Sequence, residues 1–199
     1  MRRLDLERQL HAADVALAGL QETRARESGV REGVHFRMLA ASADPSGVGG
    51  VELWVHKAVP VEKFFVASAS SSFTVVRFVA WALPLCVVVL HAPTGAAAPE
   101  EVEAWWANLR GEILKARGSS HVIVLADANA KLGSVCSPFV GDAHADEENL
   151  AGRCFHELLA DISCFAPHDL LGGDFEGTCR RVAPPRVEKM APARCCCPS

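Results

Sequence analysis

Between Leu85 and Ala126 the chain writes an apolar strand, a long helix and a second apolar strand in succession, and this unit constrains the fold more than any other stretch. Leu85–Leu90 is rich in valine and Val122–Leu125 is a short β-branched run, so both read as buried strands. Between them, Glu100–Arg117 has helical periodicity, with Val102, Trp105, Trp106, Leu109 and Ile113 on one stripe. Glu100, Glu101 and Glu103 occupy its first turn and Lys115 and Arg117 its last, the order that the helix dipole favours. Gly118 ends it. Adjacent tryptophans suggest a stacking surface for bases, but helical spacing sends at least one of Trp105 and Trp106 into the core.

Around this crossover the pattern is mixed. Arg2–Ala13 reads as a short amphipathic helix and Val15–Leu20 as a buried strand. The polar residues that follow, as far as Gly33, read as a loop, and Phe36–Ala40 as a strand. Asp44-Pro45-Ser46-Gly47 is a turn signal. Val51, Leu53 and Val55 alternate with Glu52, Trp54 and His56, the signature of a half-buried strand. Lys63–Ala69 is a weaker strand candidate. Phe73–Ala80 is a strong one, separated from Leu85–Leu90 by a bend expected near Pro84. Strands so closely spaced are expected to pair antiparallel. Asn149–Asp161 reads as a further helix, with Ala151, Phe155, Leu158, Leu159 and Ile162 on one face.

A chain of 199 residues, half of them hydrophobic, can bury one real core. Its formal charge of −4 argues against a broad basic nucleic-acid surface, although a local groove or a bound metal can supply positive charge. The longest apolar run, Val75–Leu90, is interrupted by Arg77 and Pro84, and no signal core follows Arg2 and Arg3. A soluble intracellular protein, nuclear or cytoplasmic and without membrane contact, is the expectation. The eight cysteines show no paired metal spacing, so the scattered ones are expected to be small core residues. From Pro167 to Ser199 there is no period of 2 or 3.6, and this segment is expected to be a disordered tail.

Three apolar strands deliver polar groups at their C-terminal ends: Glu22, His91, and the pair Asp127 and Asn129. Strand alternation would put Asp127 and Asn129 on one face. A carboxylate and an amide there suit a hard cation such as Mg²⁺ and a phosphate or water ligand; the plain alternative is a strand ending in a turn. Asp142, His144, Asp146, Glu147 and Glu148 form an acidic loop better read as solvated than as a metal cluster. His35, His56, His121 and His156 show no convincing partner in the sequence.

Together these motifs resemble the endonuclease/exonuclease/phosphatase superfamily, most of all the endonuclease domains of non-LTR retrotransposons and apurinic-type DNA endonucleases. The matching text is LQET at Leu20–Thr23, GGVELWV at Gly49–Val55, LHAPT at Leu90–Thr94, LADANAKLGS at Leu125–Ser134 and the Asn-x-x-Gly helix start in ENLAGRCFHELL, Glu148–Leu159. The resemblance covers roughly residues 4 to 166. It implies an α/β (α+β) fold, a four-layered αββα sandwich of two mixed β-sheets, and a phosphodiesterase site using Mg²⁺ or Mn²⁺ with DNA as partner. It implies that Glu22 binds the metal, that Asp127 binds it too and orients the attacking water, that Asn129 contacts the scissile phosphate, and that His91 lies beside that phosphate. Two family features find no match: a first strand carrying an Asn, since Met1 falls at the first helix, and a Ser-Asp-His stretch near the end, for which His168-Asp169 is early and reversed. The expected organisation is therefore an incomplete domain over residues 1–166 followed by the tail 167–199. The expected activity is endonuclease-type phosphodiester hydrolysis. The alternatives are an inactive truncated remnant, or a phosphatase or lipid phosphodiesterase of the same superfamily.

Overall fold

The computed structural model of the chain describes residues 3–133, 135–141 and 147–166. The expectations for the tail, for His168-Asp169 and for Asp142, His144 and Asp146 fall outside these residues. The elements run α1 (Arg3–Ala12), β1 (Leu17–Leu20), β2 (Gly29–Glu32), β3 (Phe36–Ala41), β4 (Val51–His56), β5 (Phe65–Ala69), β6 (Phe73–Ala80), β7 (Leu83–His91), α2 (Pro99–Arg117), β8 (His121–Asp127) and α3 (Leu150–Ile162).

Two-residue alternation builds the layers. In β4, Val51, Leu53 and Val55 point between two sheets, where they meet Val76, Phe78, Val87 and Val89. Trp54 points the other way, with Phe36 and Met38, onto Leu6 and Leu10 of α1. In β7, Leu85, Val87 and Val89 face the inter-sheet core, while Cys86, Val88 and Leu90 face Trp106, Leu109 and Ile113 of α2 and Leu158 and Ile162 of α3. The result is four layers: α1, the sheet β1-β4-β3-β2, the sheet β5-β6-β7-β8, and α2 with α3. The first sheet is antiparallel throughout; the second is mixed, because the α2 crossover makes β7 and β8 parallel. Gly19 lets the sheets approach closely, since a Cβ there would lie 2.6 Å from Leu125 Cβ and 3.1 Å from Val89 Cγ1.

Several expectations need correction. β4 is buried on both faces, because α1 covers the face carrying Glu52 and Trp54. The Glu52 carboxylate tolerates this burial by accepting from the Arg3 guanidinium at 2.6 Å and the Trp54 indole N–H at 2.7 Å. By contrast, β1 and β8, expected to be buried, are only half-buried, since each is the edge strand of its sheet among the described residues. Pro84 makes no bend. It lies within β7 opposite Val79, one residue before pairing with β8 begins at Leu85, so its missing N–H costs that pairing nothing. The reversal is at Trp81 and Ala82, whose φ values of 50° and 60° suit a tight hairpin turn. Residues 29–32, read as loop, form β2, an exposed edge strand with one large apolar residue, Val30, and hence no legible pattern.

Glu7 of α1 is buried, and its Oε1 accepts the backbone N–H groups of His35 and Phe36 where the chain turns into β3. Trp106 is in the core and Trp105 is partly buried, its indole N–H donating to Ser72 Oγ at 2.9 Å. Cys86, Cys154 and Cys164 belong to the core or its margin, and burial pushes all three thiols up; Cys136 departs from the expectation by being exposed. No described helix is long and apolar enough to cross a membrane.

Candidate active site at the strand ends

β1 stops at Leu20, and the backbone turns sharply through Glu22 and Arg24, each at φ 51°. Left-handed backbone at non-glycine residues costs about 1–2 kcal/mol apiece, so something must hold it. Thr23 N–H donates to Gly50 O at 3.0 Å and Arg24 N–H to Gly49 O at 2.9 Å. Gly49 and Gly50 are themselves at φ 79° and 86°, and a Cβ on Gly50 would lie 3.0 Å from Thr23 Oγ1 and 3.1 Å from the Arg24 nitrogen. The glycine pair before β4 is thus the cradle that aims Glu22.

His91 closes β7 and sits directly opposite Asp127 in the parallel register. Its N–H donates to Ser72 O at 2.8 Å, and Ala92 N–H donates to Asp127 O at 2.8 Å. The imidazole Nε2 lies 3.9 Å from Glu22 Oε1 and 3.9 Å from Asp127 Oδ2. One carboxylate comes from each sheet, and the Gln21 amide, donating to Leu125 O at 3.4 Å, ties the two strand ends together.

Asn129 stands beside them for a different reason than alternation. The strand has ended at Asp127, and Asn129 is at φ 45°. Its backbone N–H reaches Asp127 Oδ1 at 3.4 Å, and its Nδ2 donates to Ala92 O at 2.8 Å. The turn, not the pleat, brings Asp127 and Asn129 together. Asn149 supports this turn from below: its Oδ1 accepts from Gly152 N–H at 2.7 Å, capping α3, and from Lys131 N–H at 3.1 Å, while its Nδ2 reaches Asn129 O at 3.4 Å. Gly152 belongs to the same device, because a Cβ there would collide with the Lys131 carbonyl oxygen. Gly152→Ala is therefore expected to push α3 off the 129–131 turn and to lower the urea midpoint by about 1–3 kcal/mol of stability, measured by equilibrium denaturation; an unchanged midpoint would show that the turn yields freely.

The histidines first read as unpartnered are corrected on three counts. His156 lies between Ser137 Oγ at 2.6 Å and Glu148 Oε1 at 3.3 Å. His35 and His56 stack with His11 at the far end of the first sheet. No spacing rule could have found these, since each partner comes from a different segment.

The donor set fits a hard divalent cation. Glu22 and Asp127 have side chains 62% and 55% exposed, and neither pairs with Lys or Arg among the described residues. Two exposed carboxylates are the kind of donor that suits Mg²⁺, which dehydrates reluctantly and keeps several waters.

Two face-to-face sheets between helices, with a carboxylate–imidazole–carboxylate cluster at their common edge, make this a four-layered α/β sandwich. No family model matches the sequence, and no curated protein matches it. Solved structures do. The chain is similar to the endonuclease domain of TRAS1, a telomere-specific non-LTR retrotransposon, with a TM-score of 0.54 and 18% identity over 81% of this chain and 66% of that one. It is also similar to the Xenopus laevis APE2 catalytic domain, with a TM-score of 0.52 and 14% identity over 79% of this chain and 62% of that one. It therefore spans slightly under two thirds of each of these structures.

Proposed function

We propose that residues 1–166 form a divalent-metal-dependent phosphodiesterase domain of endonuclease type, acting on DNA, with 167–199 as its tail. The observation that carries this reading is that Glu22 and Asp127, on different sheets, reach the same nitrogen of His91. Glu22 and Asp127 would hold Mg²⁺ or Mn²⁺, which when bound neutralises charge on phosphoryl oxygens and favours ionisation of water. Asp127, with an exposed carboxylate, orients the attacking water. His91 Nε2 stands where it can hold or pass a proton between the two carboxylates and the phosphate. One N–H of the Asn129 amide is spent on Ala92 O, which fixes the group and leaves its second N–H for a phosphate oxygen. Two of these groups, Glu22 and Asn129, sit on short turns anchored to strands, and His91 and Asp127 close strands themselves, so all four are oriented before a substrate arrives.

The test is nicking of supercoiled plasmid by the full chain with Mg²⁺, beside Asp127→Ala and beside excess chelator. Nicking by the wild-type chain that both treatments abolish is the expected result. Absence of nicking by either protein would overturn the reading in favour of a catalytically inactive domain. Release of phosphate from a monoester, or cleavage of a phosphoinositide, without nicking would move the substrate to the phosphatase or lipid phosphodiesterase class.

A further inference from the structure

At the end of the first sheet away from Glu22, three imidazoles come together. β1 and β4 are antiparallel, with Leu20 opposite Glu52 and Leu17 opposite Val55, so His56 and Glu22 lie at opposite ends of the pair. At about 3.4 Å per residue, the length of β4 puts roughly 17 Å between the two ends. His11 stands in the last turn of α1, His35 in the β2–β3 turn and His56 at the end of β4. One ring nitrogen from each lies within 4.8 Å of the other two, and the described residues contain no other group of three His, Cys, Asp or Glu so gathered. The rings are nearly parallel: His11 and His35 have centroids 3.8 Å apart at 6°, and His11 and His56 5.2 Å apart at 4°.

We propose that His11, His35 and His56 form a binding site for one borderline divalent transition-metal cation of the Zn²⁺, Co²⁺ or Ni²⁺ kind. Imidazole nitrogen suits these ions, whereas the carboxylates at the other end suit Mg²⁺. The backbone under the trio is fixed: His56 N–H donates to Ala16 O at 2.9 Å, Lys57 N–H donates to His35 O at 2.8 Å, and His35 N–H is held by the Glu7 carboxylate. Ala58 N–H donates to His56 Nδ1 at 3.1 Å, so neutral His56 carries its proton on Nε2 and gives it to His11 Nδ1 at 2.9 Å. Binding an ion at Nε2 moves this proton, by way of solvent, to Nδ1 of the same ring with no net release, and the Ala58 N–H, in an exposed turn, then passes to water. Because ring lone pairs lie in the ring plane, parallel rings must tilt to converge. His11 is the exposed member and the one free to turn about its side-chain torsions. Ligation needs neutral rings.

The experiment is titration of the full chain, carrying no histidine tag, with Co²⁺, followed by visible d–d absorption and by displacement with Zn²⁺. One equivalent is expected to bind without a thiolate charge-transfer band, which separates this site from any formed by Cys195, Cys196 and Cys197. His11→Gln and His35→Gln should each weaken binding by at least about tenfold, with unchanged far-UV circular dichroism, and Asp127→Ala should bind as the wild type does. Lack of d–d absorption, thiolate ligation, or equal affinity in His11→Gln would overturn the site and leave the trio as a packing device.

Discussion

Glu22→Gln is expected to lower Mg²⁺-supported nicking of supercoiled DNA by about 10²- to 10³-fold, which is about 3–4 kcal/mol of transition-state stabilisation. The substitution keeps the size and shape of the side chain and removes only its charge. Glu22 is mostly exposed, and its backbone is held by main-chain bonds from its neighbours to Gly49 and Gly50, none of which involves the carboxylate. The urea midpoint should therefore stay where it is while the rate falls and the Mg²⁺ needed for half-maximal rate rises. Nicking at the wild-type rate by Glu22→Gln would remove the first sheet from the chemistry altogether.

Glu7→Leu should lower stability by about 2–6 kcal/mol in urea denaturation. Its carboxylate is buried and is the acceptor for two backbone N–H groups, those of His35 and Phe36. Leucine fills the space and leaves both donors unsatisfied, at about 1–3 kcal/mol each. A Cβ on Gly33 would strike the same carboxylate, so the turn is moulded around it and has little room to find water instead. Glu7→Gln, which retains an acceptor oxygen, should recover most of the loss. If leucine and glutamine were equally harmful, the buried charge itself, rather than its acceptor role, would be the stabilising element.

Periodicity made much of this architecture readable. The α2 stripe, the valine-rich β7 and the alternation in β4 are long enough to outvote local noise, and they predict elements close to those found. β2 was illegible because an edge strand that exposes three of its four residues has no apolar face to write in sequence. The burial of β4 on both sides was hidden because Glu52 reads as a solvent residue until Arg3, forty-nine positions away, is found beside it. At the site, the polar groups that end β1, β7 and β8 could be read from the strand pattern, and the parallel register brings His91 and Asp127 level. The reason for Asn129 could not be read, since its left-handed backbone replaces the alternation assumed for it. Nor could the histidine trio, which exists only after α1 has docked.

Gly19 makes the thickness of the molecule a component of its chemistry. With only a hydrogen between β1 and the side chains of Leu125 and Val89, the two halves of the sandwich close like the jaws of a caliper, and the two acids stand at the rim of that seam, each 3.9 Å from His91 Nε2. A residue outside the cluster of acids and imidazole thereby gauges the spacing at that rim, and the apolar filling far from it acts as its adjusting screw.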